Sequence, residues 1–283
     1  MVLGPFNRTE FFLSAGYGMH SNDARGATTT EDPSDPATRL VPSPLLVRTR
    51  GAEIGVRSRI VPGLDTSLSV FILDQDSEIL FSGDAGDTEA TRASRRYGFE
   101  WTNHYRPTSW IDIDADLAMT HARFRGYDSG QAEAYAELAG YPEAQIGNAP
   151  GNYIPNAPPM VASAGLTLGE KTGWFGTLRW RYLASSPLTE DNAFRSSATS
   201  VFNGRLGYRI DNGWRIQLDV LNLFDTRANQ ITYAYGSLLK TDTLYGLCTS
   251  GAAPAAVCRN GVMDYVLHPV EPLTIRLTVA GAF

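Results

Sequence analysis

Hydrophobicity in this chain alternates residue by residue, and the alternating segments are joined by connections that are short and long in strict turn. A period of two puts successive side chains on opposite faces of an extended strand. At the end of the chain Leu273, Ile275, Leu277, Val279, Gly281 and Phe283 fall on one face, and Thr274, Arg276, Thr278, Ala280 and Ala282 on the other. Trp214, Ile216, Leu218 and Val220 alternate with Arg215, Gln217 and Asp219, and Ile111, Ile113, Ala115, Leu117 and Met119 with Asp112, Asp114, Asp116 and Thr120. Further strands read at about 8–20, 46–60, 65–80, 94–106, 159–169, 174–187 and 198–210. The pattern predicts about ten strands, many longer than the five or six residues usual in globular proteins. Only residues 132–138 read as a short helix.

The short connections lie at 61–64, 106–109, 170–173 and 211–213, and their Pro, Gly and Asn-Gly content suits tight hairpin turns. The long ones lie at about 21–45, 81–93, 125–158, 188–197 and 225–270. In an up-and-down meander every second connection returns to the same end, so one end is tightly turned and the other elaborated. Outer-membrane barrels have this asymmetry. A soluble barrel would give the same alternation along each strand but has no reason to sort its loops. The expected fold is therefore all-β, an antiparallel up-and-down transmembrane β-barrel.

Charge agrees. Arg57, Arg59, Arg179, Arg181, Arg205, Arg209, Arg215, Asp112, Asp114 and Asp116 are expected on one face, the lumen, with the other nearly free of charge. Trp174, Trp180, Trp214 and Ile216 are expected on that opposite, lipid face. A net charge of −6 without a basic stripe argues against nucleic acid as a partner. No run of about 18 apolar residues is present, so a membrane helix is not predicted. Residues 1–7 show no basic segment followed by an apolar one, so no signal peptide is read there. Either the chain is soluble and cytoplasmic or its true N-terminus lies upstream.

Candidate chemistry is sparse. His20, His104, His121 and His268 form no close-spaced ligand pair, so they read as rim or lumen residues and no metal is expected. The 82–87 segment is faintly calcium-like but lacks the spacing of an EF-hand. No nucleotide or nucleophile-elbow fingerprint occurs, and no cofactor is expected. Asp112, Asp114 and Asp116 could do acid–base work but are read as neutralising lumen arginines. Glu190, Asp191, Asn192 and Arg195 form a polar loop beside Pro187 and Leu188 and are the candidate ligand contacts. Cys248 and Cys258 are close enough in sequence for a small disulfide in an oxidising compartment, with two free thiols as the alternative.

Several stretches resemble TonB-dependent outer-membrane receptors. Thr9-Glu10-Phe11-Phe12 and the run from Gly16 to Gly26 resemble a strand and extracellular loop of some of these receptors. The stretch from Arg48 to Gly55 resembles their R-x-x-G-x-E-x-G strand. Leu221-Asn222-Leu223-Phe224-Asp225 contains the NLFD signature of a late strand, and the terminal Phe283 resembles the assembly signal of outer-membrane barrels. The resemblance implies that residues 1–283 are the C-terminal portion of a receptor barrel, without the plug domain. It implies uptake of a scarce nutrient such as a siderophore, cobalamin or carbohydrate, and no enzymatic step. The partners implied are outer-membrane lipid, the barrel assembly machinery, an extracellular small-molecule ligand and, through the missing plug, the TonB complex. The rival is a complete ten-stranded outer-membrane enzyme such as a surface protease. As a piece of a larger barrel the chain is expected to form a curved open sheet with unpaired edges near 9–19 and 273–282.

Overall fold

The computed structural model describes residues 1–21, 28, 30–31, 44–77, 79–82, 87–90, 92–210 and 213–281. Fifteen strands are described: β1 Val2–Phe6, β2 Thr9–Ser21, β3 Leu46–Ser58, β4 Leu64–Gln75, β5 Ile79–Ser82, β6 Asp87–Ala90, β7 Ser94–Thr108, β8 Ile111–Phe124, β9 Met160–Gly169, β10 Gly173–Leu183, β11 Thr199–Arg209, β12 Arg215–Leu221, β13 Asn229–Ser237, β14 Val262–Pro269 and β15 Thr274–Ala280. Eleven form one sheet in the order β1-β2-β3-β4-β7-β8-β9-β10-β11-β12-β15. All its pairings are antiparallel, so it is the expected meander, interrupted by two hairpins, β5–β6 and β13–β14. The sheet is open: β1 and β15 lie at opposite edges.

The short connections gather at one end. Gly63 takes φ 80° and Gly173 φ 86°, conformations that only glycine adopts without strain. Of the 211–213 turn, residues 211 and 212 lie outside the described residues, while Ile210 N–H donates to the Trp214 carbonyl across it. The turn expected at 106–109 falls later, because a bulge between Tyr105 and Thr108 carries β7 past Pro107 and leaves residues 109–110 as the loop.

Three details refine the expectation. The eleven strands of the sheet fit the expected count of about ten, the additional one being residues 2–6, which fold back on β2. The loop responsible, Asn7-Arg8, has φ of 49° and 61°, as a type I′ hairpin requires, but it lacks the glycine that advertises such a turn. Next, β4 stops at Gln75 and β10 at Leu183, short of 80 and 187, as the chain leaves the sheet for a separate hairpin and for the Pro187–Arg195 bridge. Finally, the apolar face is not free of charge along its whole length, as shown below.

Register assigns every strand residue to a face, since directly paired residues project to the same side. Arg179 pairs with Gly165 and Asn203, Gly165 with Asp114, Asp114 with His104, and His104 with Asp65. Followed across the sheet, one face holds Arg57, Arg179, Arg181, Arg205, Arg209 and Arg215 with the three aspartates of β8. The other holds Ile54, Val70, Phe99, Leu117, Leu166, Trp174, Trp180, Leu206, Ile216 and Leu277. Trp214 immediately precedes β12 and lies outside its ladder.

The apolar face is the exposed one. Ile54 is 60% accessible, Trp174 68% and Leu277 67%. Soluble monomers rarely expose a continuous apolar surface of this extent. Aromatic residues bracket it. Trp174 meets Tyr208 edge-on near the short turns, and Trp180, Tyr182 and Phe202 cluster near the long loops. From Trp174 to Tyr182 is eight residues of β10, roughly 27 Å at ~3.4 Å per residue, or about 20 Å of depth at the usual strand tilt. That matches the apolar band of an outer-membrane barrel. Buried strand residues such as Ser69, Phe175, Val201, Gln217 and Asp219 lie mostly on the polar face, where side chains of a curved sheet converge.

Candidate functional site

The polar face carries a ladder of ion pairs. Arg57 reaches Glu10 at 3.0 Å, Arg179 reaches Asp114 at 3.0 Å and Arg205 reaches Asp219 at 2.5 Å. Gly165 makes room for one of them: a Cβ there would come within 2.5 Å of Asp114 and 2.9 Å of Arg179. Arg106 and His104 share Asp112 at the short-turn end. The aspartates thus serve the lumen arginines. Arg181, like Arg209 and Arg215, has no acid within ion-pair distance among the described residues, although Glu271 lines the same cavity.

Arg181 lines a cavity of about 440 Å³ on this face, toward the long loops. Ser163, Val201, Asn203 and Leu221 supply the wall, and Gln230 and Glu271 close it from the loop after β12. What aims that loop is the NLFD motif. Asn222 is 2% exposed, and its amide donates to the carbonyls of Thr226 and Glu271 while its oxygen accepts from Thr226 N–H. Its backbone N–H donates to the Asn203 side chain, and the Asp225 carboxylate accepts from Leu273 N–H. The motif ends β12 and ties the exit of the loop to its return, while Phe224 faces outward against Phe202.

Around the cavity the long loops form a folded cap. The loop after β8 holds helices α1 Ser129–Glu137 and α2 Pro142–Gln145, and the last loop holds α3 Thr243–Thr249 and α4 Ala255–Asn260. Leu138, Ala144, Leu244 and Val257 pack into one apolar core joining the two loops. Cys248 in α3 and Cys258 in α4 are bonded across it, Cα atoms 5.7 Å apart.

The four candidate ligand contacts share a neighbourhood but are engaged internally. Glu190 takes the Arg92 guanidinium at 2.5 Å. Asp191 accepts from Thr189 Oγ1 and Ala193 N–H, turning the loop. Arg195 donates to Asn192, to Ser185 Oγ and to the Ser185 carbonyl. Sequence reading missed Arg92 entirely. It also donates to the carbonyls of Gly126 and Gly151, approaches Asp128 at 3.6 Å and lies over the Phe124 ring. One guanidinium thus joins three long loops, from positions up to 98 residues apart. Its sequence neighbours carry no sign of this. Phe283 and residues 83–86 of the 82–87 segment lie outside the described residues, as does most of the 21–45 loop.

The family model for the TonB dependent receptor-like beta-barrel matches residues 5–223. Among solved structures, the ferric-catecholate import receptor Fiu of E. coli K12 is 16% identical with a TM-score of 0.60, covering 98% of this chain and 33% of its own. The siderophore receptor PiuA of Acinetobacter baumannii is 14% identical, TM-score 0.64, with 98% and 34% covered. The ferric yersiniabactin uptake receptor FyuA of Yersinia pestis is 13% identical, TM-score 0.63, with 97% and 35% covered. At such identities the likeness is one of fold, and the chain spans about a third of the length of these proteins. No curated protein matches it.

Proposed function

Because this chain belongs to the TonB-dependent receptor β-barrel family of the bacterial outer membrane, we propose that it is the C-terminal wall and loop cap of a receptor for uptake of a scarce, negatively charged nutrient. A metal–siderophore complex is the class best supported, since the solved relatives include siderophore receptors. The carrying observation is Arg181, a cation with no acid in ion-pair contact among the described residues, in a lumen cavity below the loops. Its lumen neighbours Arg179 and Arg205 are neutralised, so Arg181 is the one set to meet a ligand anion. Glu190, Asp191, Asn192 and Arg195 act in this reading as braces holding their loop beside the cavity rather than as the anchor. A plug domain and the contact with the energy-transducing TonB complex are assigned to parts of the receptor beyond these 283 residues, and assembly to the barrel machinery.

Transport is favoured over the surface-enzyme reading because the family matched is one of receptors. His104 lies on Asp112 at the short-turn end, away from the loops, and shares that carboxylate with Arg106. The test is ligand binding by the full-length receptor, followed by tryptophan fluorescence against a panel of ferric siderophores, cobalamin and neutral oligosaccharides. An anionic chelate should bind, and Arg181→Gln should weaken it by about tenfold, the usual loss when a charged hydrogen bond is removed. Tight binding of a neutral ligand that ignores Arg181→Gln would defeat the reading.

A further inference from the structure

The charges that break the apolar face all sit at one place. Among described strand residues that face carries Arg48, Arg50, Asp74, Arg95 and Arg123, within the last three same-face positions of β3 and the last one of β4, β7 and β8 at the long-loop end. Arg125, just past β8, joins them through Asp74. Asp74 is mostly buried and holds Arg95 at 2.7 and 2.9 Å, Arg50 at 3.3 Å and Arg125 at 3.6 Å. Arg123 lies over the Tyr153 ring. Asp76, whose N–H donates to the Arg48 carbonyl, is the other acid there. Among the described residues, five guanidiniums thus gather around two carboxylates. Arg50, Arg95 and Arg125 stay about half exposed despite the pairing.

An excess of guanidiniums repels itself, and a bound anion relieves that repulsion. The central carboxylate fixes the forks in position, and a planar fork grips phosphate through two parallel bonds. Depth selects the source of that phosphate. The cluster lies one same-face step beyond Ile72, Tyr97 and His121, about 7 Å along the strand, where the apolar band gives way to lipid headgroups. The other half of the sheet ends differently at this level, with Trp180, Tyr182 and Phe202 and no charge. The belt is therefore a local device and not a general rim.

We propose that this arginine belt binds the phosphate groups of a phosphorylated outer-leaflet lipid, fastening the β3–β8 side of the barrel to its membrane. The site is on the outer wall and does not depend on the cavity reading. The experiment takes the full-length receptor in detergent and titrates it with bisphosphorylated lipid A, with its phosphate-free form and with inorganic phosphate. The bisphosphorylated lipid should bind best. The quadruple change R48Q/R50Q/R95Q/R125Q should weaken it by about a hundredfold or more, given roughly a kcal/mol for each cation at a lipid surface. Arg50→Gln alone, an exposed position, should weaken it about fivefold on the same basis, which serves if the quadruple variant does not assemble. Arg57→Gln with Arg209→Gln, on the lumen face, should change nothing. Equal binding of the phosphate-free lipid, unchanged binding by Arg50→Gln, an equal loss from the lumen pair, or inorganic phosphate binding as tightly as the lipid would each overturn the proposal.

Discussion

The two faces of the sheet are built from alternate residues of the same strands and yet answer to different solvents. On the polar face, arginines and aspartates are paired across strands, as Arg179 is with Asp114 and Arg205 with Asp219. On the apolar face charge is absent through the band and returns only beyond it, around Asp74. The difference teaches that position along the strand matters as much as side. A guanidinium is tolerated facing the lumen at any height, and facing the lipid only where the headgroups begin.

The comparison breaks most directly if a charge is placed in the middle of the band. Val70→Arg should cost about 2–4 kcal/mol, read as a shift in the denaturant midpoint for folding of the full-length barrel into lipid vesicles. A cost near zero would mean that the apolar face does not meet lipid. Arg92→Ala should cost somewhat less, about 2–3 kcal/mol, because a largely buried ion pair is broken and the carbonyls of Gly126 and Gly151 lose their donor. The loss should appear as faster hydrogen exchange in the loops, with the strands unaffected. Asn222→Ala removes the buried amide bonds that tie the loop exit to its return and should cost about 1–3 kcal/mol, seen as increased proteolysis between residues 226 and 271. The smallest effect sharpens the contrast. Ser67→Arg, on the lumen face three residues from Val70 and in the cavity that Asp114 and Asp116 line, should change the folding midpoint by less than about 0.5 kcal/mol, as for ordinary surface substitutions.

The cap makes the same lesson from the side of legibility. The loop carrying Glu190 was found from its polarity, but polarity could not say whether its groups face a ligand or each other. In the structure they bond within the loop and, through Glu190, to Arg92, which comes from a different connection. Arg181 was placed on the lumen face by its alternation, while its lack of an ion pair among the described residues became visible only with the registers of β9 to β12 in hand. The extra strand β1 escaped because Asn7-Arg8 adopts a turn usually announced by glycine.

What the sequence by itself determined is whatever repeats locally. Alternation dictates the face of each side chain, and glycine, proline and asparagine mark where the chain reverses. Together they specify the meander, the sorting of turns to one end and the lumen arginines, because each depends on residues a few positions apart. The tertiary structure alone decided which distant groups meet. Arg50, Asp74, Arg95 and Arg125 come from three strands and a loop start, and Arg92 finds Glu190 across 98 residues. An ion pair has no sequence period. Its partners are chosen by strand register and by how the long loops fold over the lumen, and both are set by the whole sheet at once.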